Sequence, residues 1–475
     1  MTGGRPHVAV IGGGVTGLTT AFELLAGRPA LDVTVFEAAS SAGGKIASHR
    51  AHGYTVDLGP NGFVDNGTDT RTLAEAVGLG DRLLPASDSA RERFVLRGGR
   101  LVPLPHGPAS FLTTPLLTPV AKARVLAEPL LGRASGEESV HGFLTRRFGR
   151  GAAAALAAPL VHGVTGGDPR AISLDAAFPR IRALERQQRS LLLTLLRNQW
   201  RVATGRAAST RPRLTSFSDG GMRVLVDGLV RALGEHLRTG QRVTGLERDP
   251  ASGGGWLLGT APGGPVRADQ VVVAVPAPAA ARLLRPHLPG AAAALDSVRH
   301  APVRVLSLGY RRRDLATVPH GFGHLRLAAE PTRILGAVHS SAVFPDSAPR
   351  DGVLLRAFAG GAEDPDFTSL STADAIRAAH HLFTTLFGPA GEPEFHHDHV
   401  WGEGIPQYGI GHQARMREVL DGAAELPGLH VAGSSYHGIA VNDCVRDARR
   451  AAAAVLAAAG MAPGPSVRTT SGDVA

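Results

Sequence analysis

Two apolar runs near the start of the chain predict two strands with a helix between them. Residues 8–11 (Val-Ala-Val-Ile) are continuously apolar, and helical spacing of apolar positions follows over residues 16–25. A second run, "DVTVFE", ends at Glu37. The order of these segments predicts a strand, a tight turn, a helix and a parallel strand, which is a typical start of an α/β domain.

The alternation of strands and helices stops after residue 83. Over residues 84–210 we expect loops, one hairpin in "RFVLRGGRLVPLP" and then mostly helix. Helical spacing returns in the stripe Leu225, Leu229 and Leu233, and strands follow in "QRVTGLERD", "GGWLLGT" and "ADQVVVAVP". A second strand-rich stretch covers roughly residues 300–360, and a last strand, "LHVAG", precedes a helix from about Asn442.

Glycines fill the first predicted turn. The loop fits G-x-G-x-x-G and consists of Gly12, Gly13, Gly14, Val15, Thr16 and Gly17. In such a loop the first glycine permits the turn, the second lets the backbone approach a pyrophosphate, and the third lets the helix pack on the strand. Glu37, 20 residues after the last glycine, can accept hydrogen bonds from an adenosine ribose. An acid at this position argues against a 2′-phosphate and hence against NADP.

Two more glycine turns follow, at Gly43–Gly44 in "AASSAGGKIAS" and at Gly59–Gly62 in "GYTVDLGPNGF". Nicotinamide dehydrogenases do not need these turns. An extended flavin dinucleotide does need them, because its ring lies beyond the first strand and backbone atoms must approach it closely. The pattern resembles the amine-oxidase-type flavoproteins, and this resemblance implies FAD.

We therefore predict an α/β protein with a discontinuous Rossmann-like FAD-binding domain, an inserted α+β substrate domain and a mostly helical domain. A chain of 475 residues is too long for one compact core, which fits this division. The FAD-binding domain would comprise residues 1–83, 211–285 and 399–460. Residues 84–210 would form the helical domain, which faces substrate or membrane, and residues 286–398 the substrate-binding sheet. Residues 461–475 would form a disordered tail, because they are rich in Gly, Pro, Ser and Thr.

The net charge of +9 does not indicate nucleic-acid binding, because the basic residues form no block and aromatic residues are few. Of 50 lysines and arginines only Lys45 and Lys122 are lysine, so we ascribe the charge to compositional bias. The single cysteine, Cys444, excludes an internal disulfide and suits a reducing cytoplasm. No apolar run approaches the roughly 18–20 residues that span a bilayer, and residues 1–7 lack the apolar core of a signal peptide. We expect a cytoplasmic protein.

Two segments admit a second interpretation. Residues 180–201, "RIRALERQQRSLLLTLLRNQWR", carry six arginines around a leucine cluster and predict one helix. We favour a solvated helix over the core, and contact with anionic lipid on the inner face of the cell membrane stays open. The run "HHDH" at residues 396–399 could suggest a metal site, but alternation in a strand would place its side chains on two faces. We expect a surface strand and no metal.

Segments near the C-terminus and in the middle of the chain indicate which group of these flavoproteins the sequence resembles. They include "WGEGIPQYGIGHQARMREVL", "LPGLHVAGSSYHGIAVNDCVRDARRAAAAVL", "GVTGGDPRAISLDAAFPRIRALE" and "PTRILGAVHSSAVFPDSAP". Together they resemble the oxygen-dependent protoporphyrinogen and coproporphyrinogen oxidases, over about residues 7–458. The helix expected from Asn442 could point its N-terminal N–H groups at the pyrimidine-like edge of a flavin.

The resemblance implies a buried redox reaction with little acid–base machinery. The porphyrinogen would lose hydride from a bridging carbon to flavin N5, dioxygen would reoxidise the flavin, and hydrogen peroxide would leave. Three such rounds would complete the porphyrin. No side chain would act as a catalytic group, because the flavin performs the chemistry and the protein holds the flat substrate against it.

The resemblance also implies roles for individual residues. Arg93 in "RERFVL" would grip a propionate, Leu325, Val338 and Phe358 would clamp the tetrapyrrole, and the backbone of Gly163 would lie near the reacting carbon. FAD would contact Gly12, Gly13, Gly14, Val15, Thr16, Gly17, Glu37, Ser41, Gly44, Gly59, Pro60, Asn61, Gly62, Val243, Trp401, Gly433, Ile439, Ala440 and Val441.

Several positions depart from the family pattern. Ser41 stands where an arginine is common, with Lys45 after the glycine pair, and Thr165 replaces an aromatic residue. Ser434 replaces an asparagine, and Ala440 replaces a glycine, which would strain the chain if the turn needed a positive φ. These departures leave room for a paralogue that acts as an amine oxidase or desaturase, or for a flavoprotein without catalysis.

The substrate and partners follow only from the resemblance. "ALERQQRSLLLTLL" looks most like the protoporphyrinogen-type enzymes, so we favour protoporphyrinogen IX, with coproporphyrinogen III as the alternative. Expected partners are the porphyrinogen and dioxygen. Transfer of the product to the next haem-pathway enzyme stays open, and the sequence does not indicate an oligomeric state.

Overall fold

The computed structural model describes residues 5–204, 213–250 and 254–460, so the tail expected at 461–475 lies outside the described residues. The strands are β1 His7–Ile11, β2 Asp32–Phe36, β3 Ser48–Ala51, β4 Tyr54–Asp57, β5 Phe63–Asp65, β6 Leu83–Pro85, β7 Phe94–Arg97, β8 Arg100–Pro103, β9 Arg213–Phe217, β10 Leu237–Arg238, β11 Arg242–Arg248, β12 Trp256–Ala261, β13 Val266–Ala268, β14 Gln270–Val273, β15 His300–Arg311, β16 Gly323–Arg326, β17 Ile334–Val338, β18 Gly352–Gly360, β19 Phe395–Pro406 and β20 Leu429–Val431.

The helices are α1 Val15–Gly27, α2 Thr70–Ala76, α3 Pro108–Thr113, α4 Pro119–Leu126, α5 Val140–Phe148, α6 Arg150–His162, α7 Leu174–Ala177, α8 Pro179–Gln187, α9 Leu191–Ala203, α10 Arg223–Leu233, α11 Ala277–Leu284, α12 Pro289–Asp296, α13 Ser340–Val343, α14 Thr372–Phe387, α15 His412–Ala424 and α16 Val441–Ala458.

A five-stranded parallel sheet organises the nucleotide-binding part, in the order β10-β2-β1-β14-β20. Successive side chains of β1 enter opposite cores, because strand side chains alternate between faces. Val8 and Val10 pack with α1, α10 and α16, whereas Ala9 and Ile11 pack with α11, α12 and α15. Helices therefore cover both faces of the sheet, which confirms the predicted α/β fold.

A seven-stranded sheet forms the second core, in the order β19-β15-β18-β17-β16-β7-β8. Helix α14 covers one of its faces. The predicted hairpin forms as β7 and β8, but it joins this sheet rather than the helical segment, because β7 pairs in parallel with β16. Strand β19 extends across residue 398, so the boundary predicted there between the substrate-binding sheet and the FAD-binding domain falls inside a strand.

Residues 108–203 form the helical insertion, and the prediction of a single helix over residues 180–201 is wrong. Helix α8 ends at Gln187 and α9 begins at Leu191. The carboxylate of Glu128 accepts hydrogen bonds from the first N–H groups of α9 and starts the new helix. Helix α8 is not solvated all round, because Arg182 and Glu185 are buried and form an ion pair.

Candidate functional site

The glycine loop between β1 and α1 has the geometry of an anion-binding turn. Gly12 has a φ of +109°, and a Cβ there would lie 2.6 Å from the carbonyl oxygen of Ala274. A Cβ on Gly17 would lie 1.9 Å from the carbonyl oxygen of Gly12, so only glycine lets α1 approach the loop this closely. A Cβ on Gly14 would meet no atom within 4 Å, so the N-terminus of α1 faces open space.

Glu37 follows β2 and organises this loop. One carboxylate oxygen accepts a hydrogen bond from the N–H of Gly13 at 2.7 Å, and the other accepts from the N–H of Ala39 at 2.7 Å. Each oxygen keeps a second lone pair for a hydroxyl group. A ribose contact would use these free lone pairs, and the predicted role of Glu37 stays a prediction.

The second glycine turn touches the first. The N–H of Gly43 donates to the carbonyl of Gly13 at 2.7 Å, and a Cβ on Gly44 would lie 3.3 Å from Cα of Gly14. Ser41 is exposed, whereas Lys45 is half-buried. Burial lowers the pKa of Lys45, while the charge of Glu403 opposes that effect. Lys45 carries a positive charge that Ser41 lacks and follows the turn that contacts Gly13 and Gly14, so it is an additional candidate for contact with a bound anion.

The third glycine loop packs against the second turn. A Cβ on Gly59 would lie 1.9 Å from the carbonyl oxygen of Lys45, and one on Gly62 would lie 2.8 Å from that of Thr215. Trp401 donates from its indole N–H to the carbonyl of Leu58 at 2.7 Å. The side-chain amide nitrogen of Asn61 is buried and has no hydrogen-bond partner among the described residues. This donor fits a polar atom of a bound cofactor.

The C-terminal turn between β20 and α16 is fixed by a buried carboxylate. Asp447 accepts hydrogen bonds from the N–H of Gly433 at 2.7 Å and from Arg450 at 2.8 Å, and it pairs with His437 at 2.8 Å. Although burial opposes ionisation, these partners hold the pKa of Asp447 below its usual range. Ala440 has a φ of −71° and a ψ of 154°, so the residue in place of the family glycine causes no backbone strain.

Three residues assigned to the clamp lie on one face of the seven-stranded sheet. Leu325 and Phe358 are both opposite Gly336 in the pairing register, and Val338 lies two residues further along β17. Arg93 lies just before β7 and is exposed, with its guanidinium 4.9 Å from the ring centre of Phe322. The result is a sheet face that carries three apolar side chains and the buried Arg356, with the exposed Arg93 next to it.

Gly163 joins the helical insertion to this face. It follows the last residue of α6, and a Cβ there would lie 2.9 Å from Cδ1 of Leu325. The neighbouring His162 has a fully buried side chain, whose Nε2 lies 3.0 Å from the carboxylate of Glu363. Sequence reasoning missed this contact, since Glu363 lies far away in the chain.

The remaining predicted sites are placed as follows. Val243 lies in β11 of a separate three-stranded sheet and packs against the core beside β1. The run at residues 396–399 forms part of β19, where His397 stacks on His49 and Asp398 pairs with Arg304.

Among the residues that the structure describes, no group of three or more His, Cys, Asp and Glu side chains could hold a metal ion. None of the described helices has the length and apolar character to span a bilayer.

The arrangement fits FAD. The turns at Gly12–Gly17 and Gly43–Gly44 meet beside open space at the N-terminus of α1, and Gly433 also faces open space. Asn61 offers an unused donor, and α16 begins directly after the C-terminal turn. An extended dinucleotide needs such a series of close backbone turns and helix N-termini.

Comparison with known proteins agrees with this geometry. The flavin containing amine oxidoreductase family matches residues 15–456. The chain is 32% identical to the coproporphyrinogen III oxidase of Propionibacterium freudenreichii, over 95% of this chain and 91% of that protein. It is also 32% identical to the protoporphyrinogen oxidase of Homo sapiens, over 94% of this chain and 98% of that protein.

A solved structure from an Exiguobacterium species, provisionally named a protoporphyrinogen oxidase, superposes with a TM-score of 0.82 at 25% identity. The match covers 95% of this chain and 99% of that one. The chain therefore belongs to the flavin containing amine oxidoreductase family, groups there with the protoporphyrinogen and coproporphyrinogen oxidases, and is an FAD-dependent oxidoreductase.

Proposed function

We propose that this chain is a porphyrinogen oxidase of haem biosynthesis that uses dioxygen as its final electron acceptor. The observation that carries the proposal is the shared sheet face of Leu325, Val338 and Phe358. The apolar side chains on this face would fit one side of a tetrapyrrole, and the exposed Arg93 next to it would fit a propionate. An amine oxidase would have little use for a carboxylate grip.

The chain's own residues bind and orient the substrate. Phe358 would stack on one pyrrole, while Leu325 and Val338 exclude water from the same side. Gly163 lets the side chain of Leu325 pack directly against the end of α6, so it would fix where Leu325 meets the substrate. Arg93 would hold the acidic edge in one register by a bidentate pair.

The cofactor would be held at the pyrophosphate by the loop of Gly12 and Gly14, against which Gly17 lets α1 pack. Glu37 would hold the ribose, and Gly59–Gly62 and the turn before α16 would lie near the ring. When bound, FAD supplies the acceptor for a hydride equivalent, and dioxygen takes up the electrons as hydrogen peroxide. The N-terminus of α16 favours negative charge next to that turn.

Protoporphyrinogen IX is the substrate that we propose first, because the segment "ALERQQRSLLLTLL" resembles the protoporphyrinogen-type enzymes. Coproporphyrinogen III is the second candidate, because a coproporphyrinogen III oxidase and a protoporphyrinogen oxidase are equally similar to this chain, at 32% identity each. Coproporphyrinogen III carries four carboxylates, whereas protoporphyrinogen IX carries two. More cationic side chains near the pocket would therefore favour coproporphyrinogen III.

Competition between the two porphyrinogens tests the substrate. The FAD-loaded protein is mixed anaerobically with each porphyrinogen, and loss of oxidised flavin absorbance is followed with the appearance of porphyrin. We expect faster flavin reduction by protoporphyrinogen IX. Faster reduction by coproporphyrinogen III would replace our first candidate by the second, and reduction only by an amine would contradict the proposed function.

We also propose that the helical insertion contacts the surface of an anionic membrane. Leu130 is 83% exposed in the segment that caps α9, and Leu193, Leu195 and Trp200 of α9 are each more than half exposed. Arg197 and Arg201 lie on the same helix. Exposed apolar side chains beside arginines suit an interface of lipid headgroups.

Flotation with anionic vesicles tests this contact. Binding is expected to fall as salt rises, and Leu130→Ser with Leu195→Ser is expected to weaken it further. Ile410→Ser is the control, since Ile410 is also exposed but lies outside the helical insertion. Equal flotation of the Leu130→Ser, Leu195→Ser variant and the Ile410→Ser variant would contradict the contact.

Transfer of the porphyrin to the next haem-pathway enzyme remains a prediction.

A further inference from the structure

Arg356 is a buried arginine between the loop assigned to the flavin and the face assigned to the substrate. It lies in the middle of β18, is 3% exposed, and shares its sheet face with Val338 and Phe358. Its guanidinium donates hydrogen bonds to the carbonyls of Asp57 and Gly59. The same guanidinium lies 4.9 Å from the ring centre of Phe358.

This position places a positive charge in the interior. Burial lowers the pKa of Arg356 to about 10, and the nearby Asp57 opposes that shift. Arg356 is therefore still charged at neutral pH. The carboxylate of Asp57 is committed elsewhere, because it accepts hydrogen bonds from the hydroxyl of Ser48 at 2.6 Å and the N–H of Met222 at 2.9 Å.

A purely structural role leaves this arrangement unexplained. A buried guanidinium costs free energy unless it is paired and fully hydrogen-bonded. Among the described residues Nε of Arg356 is buried without a hydrogen-bond partner. Arg304, in the same sheet, shows the usual solution: it pairs with Asp398 at 2.6 Å and donates to two backbone carbonyls.

We infer that Arg356 is a positioning residue for the flavin, which fixes the Gly59–Gly62 loop against Phe358 and holds a positive charge beside that loop. This inference rests on the assignment of the loop to FAD in the proposed function. Its two hydrogen bonds to backbone carbonyls set where the loop presents Pro60 and Asn61. A positive charge near the flavin stabilises its reduced, negatively charged form and raises its midpoint potential.

Two substitutions separate the charge from the hydrogen bonds. Arg356→Met removes the charge at similar length, and Arg356→Lys keeps the charge but cannot reproduce the planar fork. Arg304→Met is the matched control, because Arg304 is 2% exposed and lies on the opposite face of the sheet. If a substitution of Arg356 acts only by destabilising the sheet, its effect should match that of Arg304→Met.

The measurements are the dissociation constant of FAD and the midpoint potential of the bound flavin, both taken without porphyrinogen. We expect Arg356→Met to move the potential to more negative values and Arg356→Lys to restore it, with Arg304→Met unchanged. Both Arg356 variants are expected to weaken FAD binding by about tenfold, the loss of roughly one charge-assisted hydrogen bond.

A wild-type potential in FAD-loaded Arg356→Met would overturn the inference. If that variant does not fold, Arg356→Lys decides, and wild-type affinity for FAD in the lysine variant would overturn the inference equally. A failure of the proposed function would look different. In that case the wild-type protein would form no porphyrin, while its affinity for FAD and its flavin potential would still depend on Arg356.

Discussion

Gly163 and Leu325 are in contact across the boundary between the helical insertion and the seven-stranded sheet. A Cβ at position 163 would lie 2.9 Å from Cδ1 of Leu325, which is closer than side-chain carbon atoms approach each other. The backbone of Gly163 has a φ of −68°, which any residue adopts. Glycine is therefore needed here for space and not for backbone conformation.

Gly163→Ala is expected to fold and bind FAD but to raise KM for porphyrinogen several-fold. The added methyl group would push aside the far end of Leu325, which is flexible, so the cost falls on the substrate face. Steady-state kinetics with the flavin content of each preparation provide the measurement. Gly290→Ala is the control, because a Cβ there meets nothing within 4 Å. An unchanged KM would remove Gly163 from the pocket.

Arg93→Ala is expected to raise KM for porphyrinogen by about tenfold or more while FAD stays bound. The loss of a bidentate guanidinium–carboxylate pair has this size. Arg93→Lys should recover only part of the loss, because an ammonium group cannot form the fork. Arg91→Ala is the matched control, since Arg91 is exposed and pairs with Asp88. Identical kinetics for Arg93→Ala and Arg91→Ala would contradict the propionate grip.

Glu37→Ala is expected to lose FAD during purification. The substitution removes the acceptor for the N–H groups of Gly13 and Ala39 and the group assigned to the ribose. The ratio of flavin to protein absorbance after gel filtration measures the loss. Glu23→Ala serves as the control, because Glu23 lies on α1 and pairs with Arg449. Full retention of flavin in Glu37→Ala would contradict the ribose assignment.

The local parts of this site could be predicted from the sequence. The positive φ of Gly12 and the close approach of Gly17 to Gly12 arise within a few residues, so the spacing predicts the turn. The contact of Gly12 with Ala274 is long-range and could not be predicted. The difference in exposure between Ser41 and Lys45 could not be predicted, because it depends on how the turn packs. The contact of Asp447 with Gly433 also depends on the way α16 returns to β20.

Long-range pairing explains most of the remaining differences. The break between α8 and α9 has a local signal that the prediction of one helix overlooked, because the hydroxyl of Ser190 accepts a hydrogen bond from the N–H of Leu193 at 3.1 Å. The contact of Glu128 with the N–H of Leu191 is long-range and could not be predicted. Likewise, "RFVLRGGRLVPLP" predicts a hairpin, but nothing local shows that β7 pairs with β16. Such contacts are formed by residues far apart in the chain, so periodicity does not reveal them.

Buried histidines are expected to make stability depend on pH. Burial lowers the pKa of His324 to about 3 and that of His339 to about 4, from an ordinary value of 6.5. In the unfolded chain both would take up protons below about pH 6.5, whereas the folded protein does not. Stability from this pair is therefore complete above pH 6.5 and falls as the pH drops towards 4.

His324→Leu tests this pH dependence. The variant is expected to melt at a lower temperature than wild type at pH 7.5, because His339 loses its partner at 3.2 Å. Its melting temperature should nevertheless fall less between pH 7 and pH 5. His381→Ala is the control, since His381 is exposed. Parallel pH profiles for wild type and His324→Leu would contradict the assignment.

Aerobic turnover of the FAD-loaded protein tests the central claim most directly. Purified protein is given protoporphyrinogen IX or coproporphyrinogen III, and porphyrin fluorescence is recorded with hydrogen peroxide. We predict porphyrin formation that depends on dioxygen and is lost without FAD. Intact flavin with no porphyrin from either substrate would contradict the account and indicate that the chain kept the fold and acts on another substrate.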